Sequence, residues 1–451
     1  MSENSKILEK YDLPIPRYTS YPTVPFWENN LETRQWLQDI KKTLSPTDSS
    51  WALYLHIPFC ESLCTFCGCN TVITKNHGLE LDYVKSILKE FAIYLENEPL
   101  LKERPLKHIH LGGGTPTFLT AENLGYLFKG LFEKIKIQEK RFEASIEVDP
   151  RRTNLEHLNV LRQFGFNRIS MGVQDFEHEV QRLINRIQPF EITKDLVDQS
   201  RQLGFESVNF DLIYGLAKQT IDSMKKTAEL TLLLQPDRIA LYSFALVPWI
   251  KPAQRLFKDE DLPAGSEKRE LYEIARDIFL NAGYLEIGMD HFAKPEEDLS
   301  IAMKNKSLHR NFMGYTNQKS DLLLALGVSG ISQTPYSFHQ NEKLLPKYEI
   351  SINQSQIPTS KGHLLSDLDQ KRQKQILEFI TLGETAFESE EQRKLAESEL
   401  AEMIRDNLVE IKDGKLKLTK LGKPFIRNVC SFFDERLKEK KQQSPLFSKS
   451  L

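Results

Sequence analysis

Four of the chain's five cysteines fall within ten residues, Cys60, Cys64, Cys67 and Cys69, in the run HIPFCESLCTFCGCN. The first three are spaced CxxxCxxC, and a short turn carrying three thiolates can wrap an iron–sulfur cube while leaving one iron without a protein ligand. An open iron is a chemical site. The competing use of the same residues is structural zinc, with all four thiolates as tetrahedral ligands. Zinc sites usually join two separated ligand pairs, whereas these cysteines share one tight loop, so the three-plus-one pattern favours iron and sulfide. Cys430 lies far away on an amphipathic segment and reads as a buried apolar residue.

Two further features could do chemistry. Gly112-Gly113-Gly114-Thr115-Pro116-Thr117 lacks the Gly-Lys-Ser/Thr of a P-loop, and Thr117 occupies the sixth position of a G-x-G-x-x-G template, so neither nucleotide motif applies. A tight turn is the plain alternative. Bare glycines also let a backbone approach closely, with amide donors for a small zwitterionic ligand. Asp211 stands in the apolar run VNFDLIYG, where a carboxylate costs on the order of several kcal/mol unless it has a partner or a ligand.

These residues need elements to position them. From Trp51 onward, strand-like runs at Trp51–Ile57, Leu106–Leu111, Phe142–Val148, Arg168–Gly172, Ser207–Tyr214 and Arg238–Phe244 alternate with helical patterns at Leu81–Asn97, Ala121–Ile135, Leu155–Phe164, Ile192–Leu203 and Ile221–Leu234. Such alternation predicts a parallel sheet with crossover helices, here an α/β incomplete (β/α)6 barrel, with a seventh strand expected at Leu285–Met289. Ligands gather at the carboxyl ends of such strands. The cysteine loop follows the first strand, the glycine turn the second, Glu147 and Asp149 the third and Gln174 the fourth. The fifth strand carries Asp211 and the sixth leads into Ala245.

Composition bounds the rest. A chain of 451 residues with 40% hydrophobic content can bury a large core in two or three domains. Lys+Arg at 60 against Asp+Glu at 63 leaves a net charge of −3, which supplies no global attraction for nucleic acid. MSENSKILEK lacks the apolar core of a signal peptide, and Ile239 to Ile250 is too short and mixed to span a bilayer, so a cytoplasmic protein without a membrane role is expected. In that reducing compartment, clustered cysteines are more often ligands or catalysts than disulfides.

The chain resembles the radical S-adenosylmethionine (SAM) superfamily through CxxxCxxC and GGGTPT. Within it, the order PRYTSYPT (Pro16–Thr23), YLHIPFCESLCTFCGCN (Tyr54–Asn70), HLGGGTPT (His110–Thr117), IEVDPR (Ile146–Arg151), GFNRISMGVQDF (Gly165–Phe176), VQRLINR (Val180–Arg186), NFDLIYGL (Asn209–Leu216), GMDHFAKP (Gly288–Pro295) and LHRNFMGYT (Leu308–Thr316) is similar to the oxygen-independent coproporphyrinogen III oxidases. That likeness covers about three quarters of the chain.

The resemblance implies a 4Fe-4S cluster on Cys60, Cys64 and Cys67, with SAM chelating the free iron. A 5′-deoxyadenosyl radical would then take hydrogen from the β-carbon of the propionate, next to the macrocycle, and carbon dioxide and an electron would leave behind a vinyl group. Two propionates of coproporphyrinogen III would be converted, giving protoporphyrinogen IX for haem. It further implies two SAM molecules: Tyr54, Gly113 and Glu147 would bind the one on the cluster, and Phe66, Gly114, Thr115, Gln174, Arg186, Asp211, Ala245 and Ile331 the second. Cys69 is carried over as necessary to catalysis without being a ligand. Implied partners are coproporphyrinogen III and a reducing protein such as flavodoxin or ferredoxin, with the chain acting as a monomer.

A tetracarboxylate on an apolar disk asks for cations beside aromatic surface. Arg17, Tyr18 and Tyr21, and His309, Arg310 and Phe312, have that chemistry. Residues 1–48 are therefore expected to dock at the active site, ahead of a partial barrel at 49–300, a closing and connecting segment at 301–365 and a C-terminal domain at 366–451. That last domain reads as small, mixed α/β and winged-helix-like, with a hairpin at Asp413-Gly414. Its helix from Glu391 to Asp406 has five acidic residues against three basic ones, badly charged for a phosphate backbone. The basic tail from Arg436 to Lys441 reads as a solvated helix end.

The chain departs from the family pattern at Ser243, Phe244, Ala245 and Leu246, and near Phe379–Gly383. Those departures keep open a paralogue acting on another tetrapyrrole. The family's haem-chaperone relatives usually lack the CGCN cysteine and the YTSYPT segment, both present here, which favours catalysis.

Overall fold

The computed structural model describes residues 3–263, 265–439 and 447–449. Six strands alternate with helices: β1 Trp51–Ile57, β2 Leu106–Gly113, β3 Glu143–Val148, β4 Arg168–Gln174, β5 Ser207–Tyr214 and β6 Arg238–Ser243. The crossovers carry α1 Glu80–Asn97, α2 Ala121–Phe132, α3 Leu155–Gln163, α4 Phe190–Gln202 and α5 Ile221–Leu233. Helix starts are set locally. Thr120 accepts from the Asn123 amide, and Asn154 and Thr220 open capping boxes, which satisfy amides that the first turn leaves unpaired.

All six strands pair in parallel with their neighbours in sequence order. They lie within a twelve-stranded open sheet. Beyond β6 the order continues through β8 His291–Ala293 to β7 Leu285–Ile287, both antiparallel. Beyond β1 lie β9 Leu322–Leu326, which is parallel, and then β10 Ile331–Gln333, β11 Ser337–Asn341 and β12 Thr359–Leu364, which are antiparallel. The incomplete barrel expected from the alternation is present.

The expected seventh strand forms, ending at Ile287. Leu285–Ile287 is extended but forms the outermost, antiparallel edge, separated from β6 by β8. The parallel neighbour that extends the barrel is β9, on the opposite side, inside the segment read as a connection. Its sequence LLLAL is buried throughout, as a strand covered on both faces must be.

One core fills the space between sheet and crossover helices. A second joins Tyr11, Tyr18 and Tyr21 to Ile287, Leu299, Tyr315, Phe379 and Val429, so it draws on all four expected segments. The C-terminal part contains a three-stranded antiparallel sheet of Glu384–Ala386, Val409–Lys412 and Lys415–Leu418, with the turn at Asp413-Gly414 as expected. The helix read from Glu391 to Asp406 is broken at Leu400 into Glu390–Glu399 and Ala401–Arg405. Cys430 is fully buried. Arg436 is no solvated end, because it is held by Asp369 at 2.9 Å and by Glu28; Lys440 and Lys441 lie outside the described residues. Among the described residues no helix is long and apolar enough to cross a membrane.

Glu90 ties α1 to the strands beyond β1. Its buried carboxyl accepts from the Gly327 amide at 2.8 Å, Asn341 Nδ2 at 2.6 Å and the Tyr348 hydroxyl at 2.6 Å. Burial pushes it up to about 7, against the lowering effect of those donors. Between the ordinary glutamate range and about 7 the folded state therefore holds a proton that the unfolded state has released, so Glu90 lowers stability as pH rises across that window and adds no slope above it. Glu90→Gln removes this contribution. In denaturant titrations from about pH 5 to 8, the stability of the native chain minus that of Glu90→Gln is expected to fall up to about pH 7 and then level. Parallel profiles would contradict the assignment.

Candidate active site

Cys60 ends the short strand Phe59–Cys60, which pairs with Val72–Ile73 and closes the cysteine loop between them. The Val72 amide donates to the Pro58 carbonyl at 2.8 Å and the Thr74 amide to that of Cys60 at 2.9 Å. Carbonyls along the loop are met from several parts of the chain. Asn185 Nδ2 reaches Leu63 at 2.8 Å, Gln254 Nε2 reaches Phe66 at 3.2 Å and Lys251 Nζ reaches Cys69 at 2.8 Å. The loop is thereby fixed, with Cys60, Cys64 and Cys67 half-buried and Cys69 exposed. The Cys69 amide lies 3.4 Å from Cys67 Sγ. A hydrogen bond with the Cys69 side chain is the main cause lowering the Cys67 thiol, helped by that amide, Lys251 and Arg186 and opposed by burial.

The glycine turn at the end of β2 packs directly beneath. The Gly114 amide donates to the Ile57 carbonyl at 2.8 Å and the Thr115 amide to that of Phe59 at 2.9 Å. A Cβ at position 114 would sit 2.6 Å from the Pro58 carbonyl oxygen, and one at position 113, where φ is +116°, would sit 2.7 Å from the His56 ring. Thr115 Oγ1 lies 3.4 Å from Cys60 Sγ.

Acidic and basic groups converge on the same rim. Glu147 on β3 accepts from the Gly113 amide at 3.2 Å and lies 3.4 Å from His110 Nε2. Burial alone would raise its carboxyl, but His110 and that amide hold it below the usual range. Asp211 on β5 accepts from Ser170 Oγ at 2.9 Å and Asn209 Nδ2 at 3.0 Å, and burial, assisted by the charge of Glu147, pushes it up to about 6. Arg186 donates to Asp149 at 3.0 Å and to the Gly172 carbonyl at 2.7 Å. Its Nη1 is 3.9 Å from Cys64 Sγ, and its Nε is buried without a partner.

A cavity of about 490 Å³ runs from the cysteine loop into the barrel and is lined by all four clustered cysteines. Nine of the eleven cofactor-binding candidates line it as well: Phe66, Gly113, Gly114, Thr115, Glu147, Gln174, Arg186, Asp211 and Ala245. Tyr54 stands behind the wall, 3.1 Å from His56 Nδ1 and stacked on His110. Ile331 lies elsewhere, in an apolar group with Trp27, Phe312, Phe338 and Leu365.

The substrate candidates are arranged differently. Arg17 pairs with Asp290 and covers the ring of Tyr242, which lines the cavity, so Arg17 backs the wall. Tyr18 donates to Asp434 at 3.0 Å, Tyr21 is buried in the second core, and Arg310 donates to the Tyr18 carbonyl at 2.7 Å. These contacts fasten the N-terminal segment to the C-terminal domain. His309 opens the hairpin of His309–Asn311 and Gly314–Thr316, but the hairpin residues that line the cavity are Asn311 and Met313 to Thr316.

The barrel floor holds charged groups that the strand-end reasoning passed over. His108, Glu143, Arg168, Asn209 and Arg238 line the cavity near the starts of their strands. Arg168 pairs with Glu143 and Arg238 with Glu297, yet Arg168 Nε, Arg238 Nη2 and Asn209 Oδ1 are buried without partners. Ser145 Oγ joins His110 Nδ1 at 2.7 Å to His108 Nε2 at 3.2 Å, and burial lowers His108 to about 4. The signal was available. Barrel interiors are normally layered with branched apolar side chains, and arginines at strand starts break that rule.

The donor set fits an iron–sulfur cube. Among the described residues no three His, Cys, Asp or Glu side chains converge on one point as a single ion requires. The cysteines instead line one cavity from a single short loop, as suits a cube whose irons sit at separate corners.

Comparison with known proteins agrees. Residues 54–231 match the Radical SAM superfamily. The chain is 37% identical to the oxygen-independent coproporphyrinogen III oxidase of Synechocystis sp., with 99% of this chain and 98% of that protein covered. The enzyme of the same name from Escherichia coli is 38% identical over 96% of this chain and 95% of its own. The structure of coproporphyrinogen III oxidase HemN from Escherichia coli, described as a radical SAM enzyme, superposes with a TM-score of 0.86 at 37% identity, covering 94% of this chain and all of that one.

Gly114→Ala is expected to push the glycine turn off the Pro58–Phe59 backbone while leaving the sheet intact. Anaerobic reconstitution should then give unchanged far-ultraviolet circular dichroism but iron and sulfide contents well under half those of the native chain. Full loading would show that the close approach is dispensable.

Proposed function

The chain belongs to the oxygen-independent coproporphyrinogen III oxidases of the radical SAM superfamily, and from this membership and the charged cavity we propose that it removes two propionate carboxyls from coproporphyrinogen III. It is an oxidoreductase of haem biosynthesis. Each conversion takes one hydrogen atom from the propionate carbon next to the macrocycle, then releases carbon dioxide and passes one electron to a one-electron acceptor outside the chain, leaving a vinyl group. The 4Fe-4S cluster and SAM, when bound, supply a one-electron reduction of a sulfonium and with it the power to take hydrogen from an unactivated carbon.

The observation that carries the reading is the joining of three thiols, the glycine turn and Glu147 in one cavity. Cys60, Cys64 and Cys67 hold the cluster. Glu147, kept anionic with the Gly113 amide donating to it, would orient the amino and ribose groups of bound SAM, with Tyr54 supporting it from behind. A second SAM is proposed beside Phe66, Gly114, Thr115, Gln174, Arg186, Asp211 and Ala245, where the Arg186 guanidinium can turn from Asp149 to a ligand carboxylate. Ile331 lies away from that wall and would contribute only through the apolar group it joins. The Cys69 side chain, as well as its amide, hydrogen-bonds the Cys67 sulfur, and hydrogen bonds to cluster sulfurs set its potential.

Coproporphyrinogen carries four propionates on an apolar macrocycle, and the propionates that are kept need cations. The guanidinium groups of Arg168 and Arg238, which line the floor, suit that task, while Arg17, Tyr18, Tyr21, His309 and Arg310 hold the surrounding wall in place. The electron is proposed to come from a reducing protein such as flavodoxin or ferredoxin, with the chain working as a cytoplasmic monomer and without nucleic acid.

Oxygen-free incubation with SAM, a reductant and coproporphyrinogen III should yield protoporphyrinogen IX, read by mass spectrometry of the oxidised porphyrin, with two carbon dioxide released per substrate. SAM cleavage without carbon dioxide would reject the substrate. Arg238→Leu is expected to raise KM for coproporphyrinogen about tenfold, the loss of one charge-assisted hydrogen bond, with substrate-free SAM cleavage retained. An unchanged KM would place the propionates elsewhere. Cys69→Ala should bind a full complement of iron but shift the cluster's reduction potential; lost iron would instead make Cys69 a ligand.

A further inference from the structure

The run GMDHF, Gly288 to Phe292, closes the barrel wall beyond β6, and of its five residues only His291 lines the active-site cavity. The others serve the wall. Gly288 has φ +66°, and a Cβ there would run into the Tyr315 hydroxyl, which accepts from the Met289 amide at 3.2 Å. Asp290 pairs with Arg17, its carbonyl accepts from the Leu241 amide at 2.7 Å, and Phe292 is fully buried in the barrel core.

The His291 imidazole is held on three sides. Its Nδ1 lies 2.5 Å from Asp290 Oδ1, and the rings of Tyr242 and Tyr315 stand nearly perpendicular to it at centroid distances of 5.8 and 5.2 Å. Against burial, Arg17 and His291 itself hold the Asp290 carboxyl well below its usual range, so Asp290 accepts from Nδ1 and leaves Nε2 for other use. Nε2 has no partner among the described residues, and unlike Arg168 Nε and Arg238 Nη2 it is not sealed from the cavity that the ring lines.

Register sets the height of that nitrogen. His291 pairs with Ala240 on β6, which pairs with Asp211 on β5, and Arg238 is two residues nearer the floor, about 7 Å along the strand. His291 therefore stands between the floor guanidiniums and the rim. The charged groups around it are Asp290 with Arg17 behind, Asp211, whose oxygens accept from Ser170 and Asn209, and Arg310 over the Tyr315 ring.

Resting on the coproporphyrinogen reading above, we propose that His291 is a substrate-binding residue that donates from Nε2 to one propionate carboxylate. An imidazole set between two carboxylates carries a proton on each nitrogen and donates to both. With Arg168 and Arg238 beneath, this contact fixes the rotation of the macrocycle in the cavity and so which propionate faces the rim.

Two substitutions separate the two nitrogens. His291→Asn keeps a donor near Nδ1 for Asp290 and removes the one at Nε2, and His291→Gln does the reverse. With reconstituted holoenzyme, saturating SAM and dithionite as reductant, His291→Asn should raise KM for coproporphyrinogen at least tenfold, the loss of one charge-assisted hydrogen bond, with kcat within about threefold of native. His291→Gln should keep KM within about threefold. SAM affinity by equilibrium dialysis should be unchanged in both. Quenching of coproporphyrin III fluorescence should show the same order of affinities without turnover, so a variant that loads little iron is still read. The opposite order of the two variants, or an equal loss in both, would make the ring only a brace for Asp290 and overturn the assignment. Weaker SAM binding in His291→Asn with KM for coproporphyrinogen unchanged would give the nitrogen to SAM instead. Native turnover with an unchanged KM in His291→Asn rejects this residue alone, whereas a native holoenzyme that cleaves SAM and leaves coproporphyrinogen untouched rejects the substrate reading itself.

Discussion

The site depends on one backbone-on-backbone contact, the docking of Gly114 and Thr115 against Ile57, Pro58 and Phe59. The strand that delivers Cys60 and the strand that ends in the glycine turn are brought together without a side chain between them. Any Cβ at position 114 would collide with main chain that is itself pinned by the Val72 and Thr74 amides. The three thiols, Glu147 below them and the Gly113 amide therefore form one rigid unit rather than a loop hovering over a barrel. Rigidity matters because a reactive species made at an open iron must meet one chosen hydrogen and nothing else.

Around that unit the barrel interior is polar from rim to floor. Ion pairs such as Arg168 with Glu143 and Arg238 with Glu297 are costly to bury, so they argue for a ligand-filled space rather than for stability. The wall that encloses the space is held from outside. Arg17 spans Asp290 and Tyr242, and Arg310 grips the backbone of Arg17 and Tyr18, so the N-terminal segment is held against the barrel and the connecting segment on one side of the cavity.

Much of this was legible in the residues. Strands β1 and β5 begin and end as their apolar patterns indicate, and CxxxCxxC with GGGTPT pointed to the rim before any coordinates did. What escaped was non-local. Leu322–Leu326 pairs with Trp51–Leu55 across some 270 residues of chain, and an apolar run with no flanking helix signal does not announce such a partner. Tyr18 and Arg310 have the chemistry of porphyrin recognition, yet Tyr18 sits in the second core with its hydroxyl on Asp434, and Arg310 donates to the Tyr18 carbonyl. Arg168 and Arg238 were overlooked because attention to strand ends misses strand starts.

The central claim is that the protein occupies three corners of the cluster and leaves the fourth to SAM. It is tested most directly by electron–nuclear double resonance on the reduced holoenzyme with SAM carrying ¹⁵N in its amino group and ¹⁷O in its carboxylate. Hyperfine coupling to both labels is predicted. A reduced cluster whose spectrum shows neither coupling while SAM is bound would contradict the account.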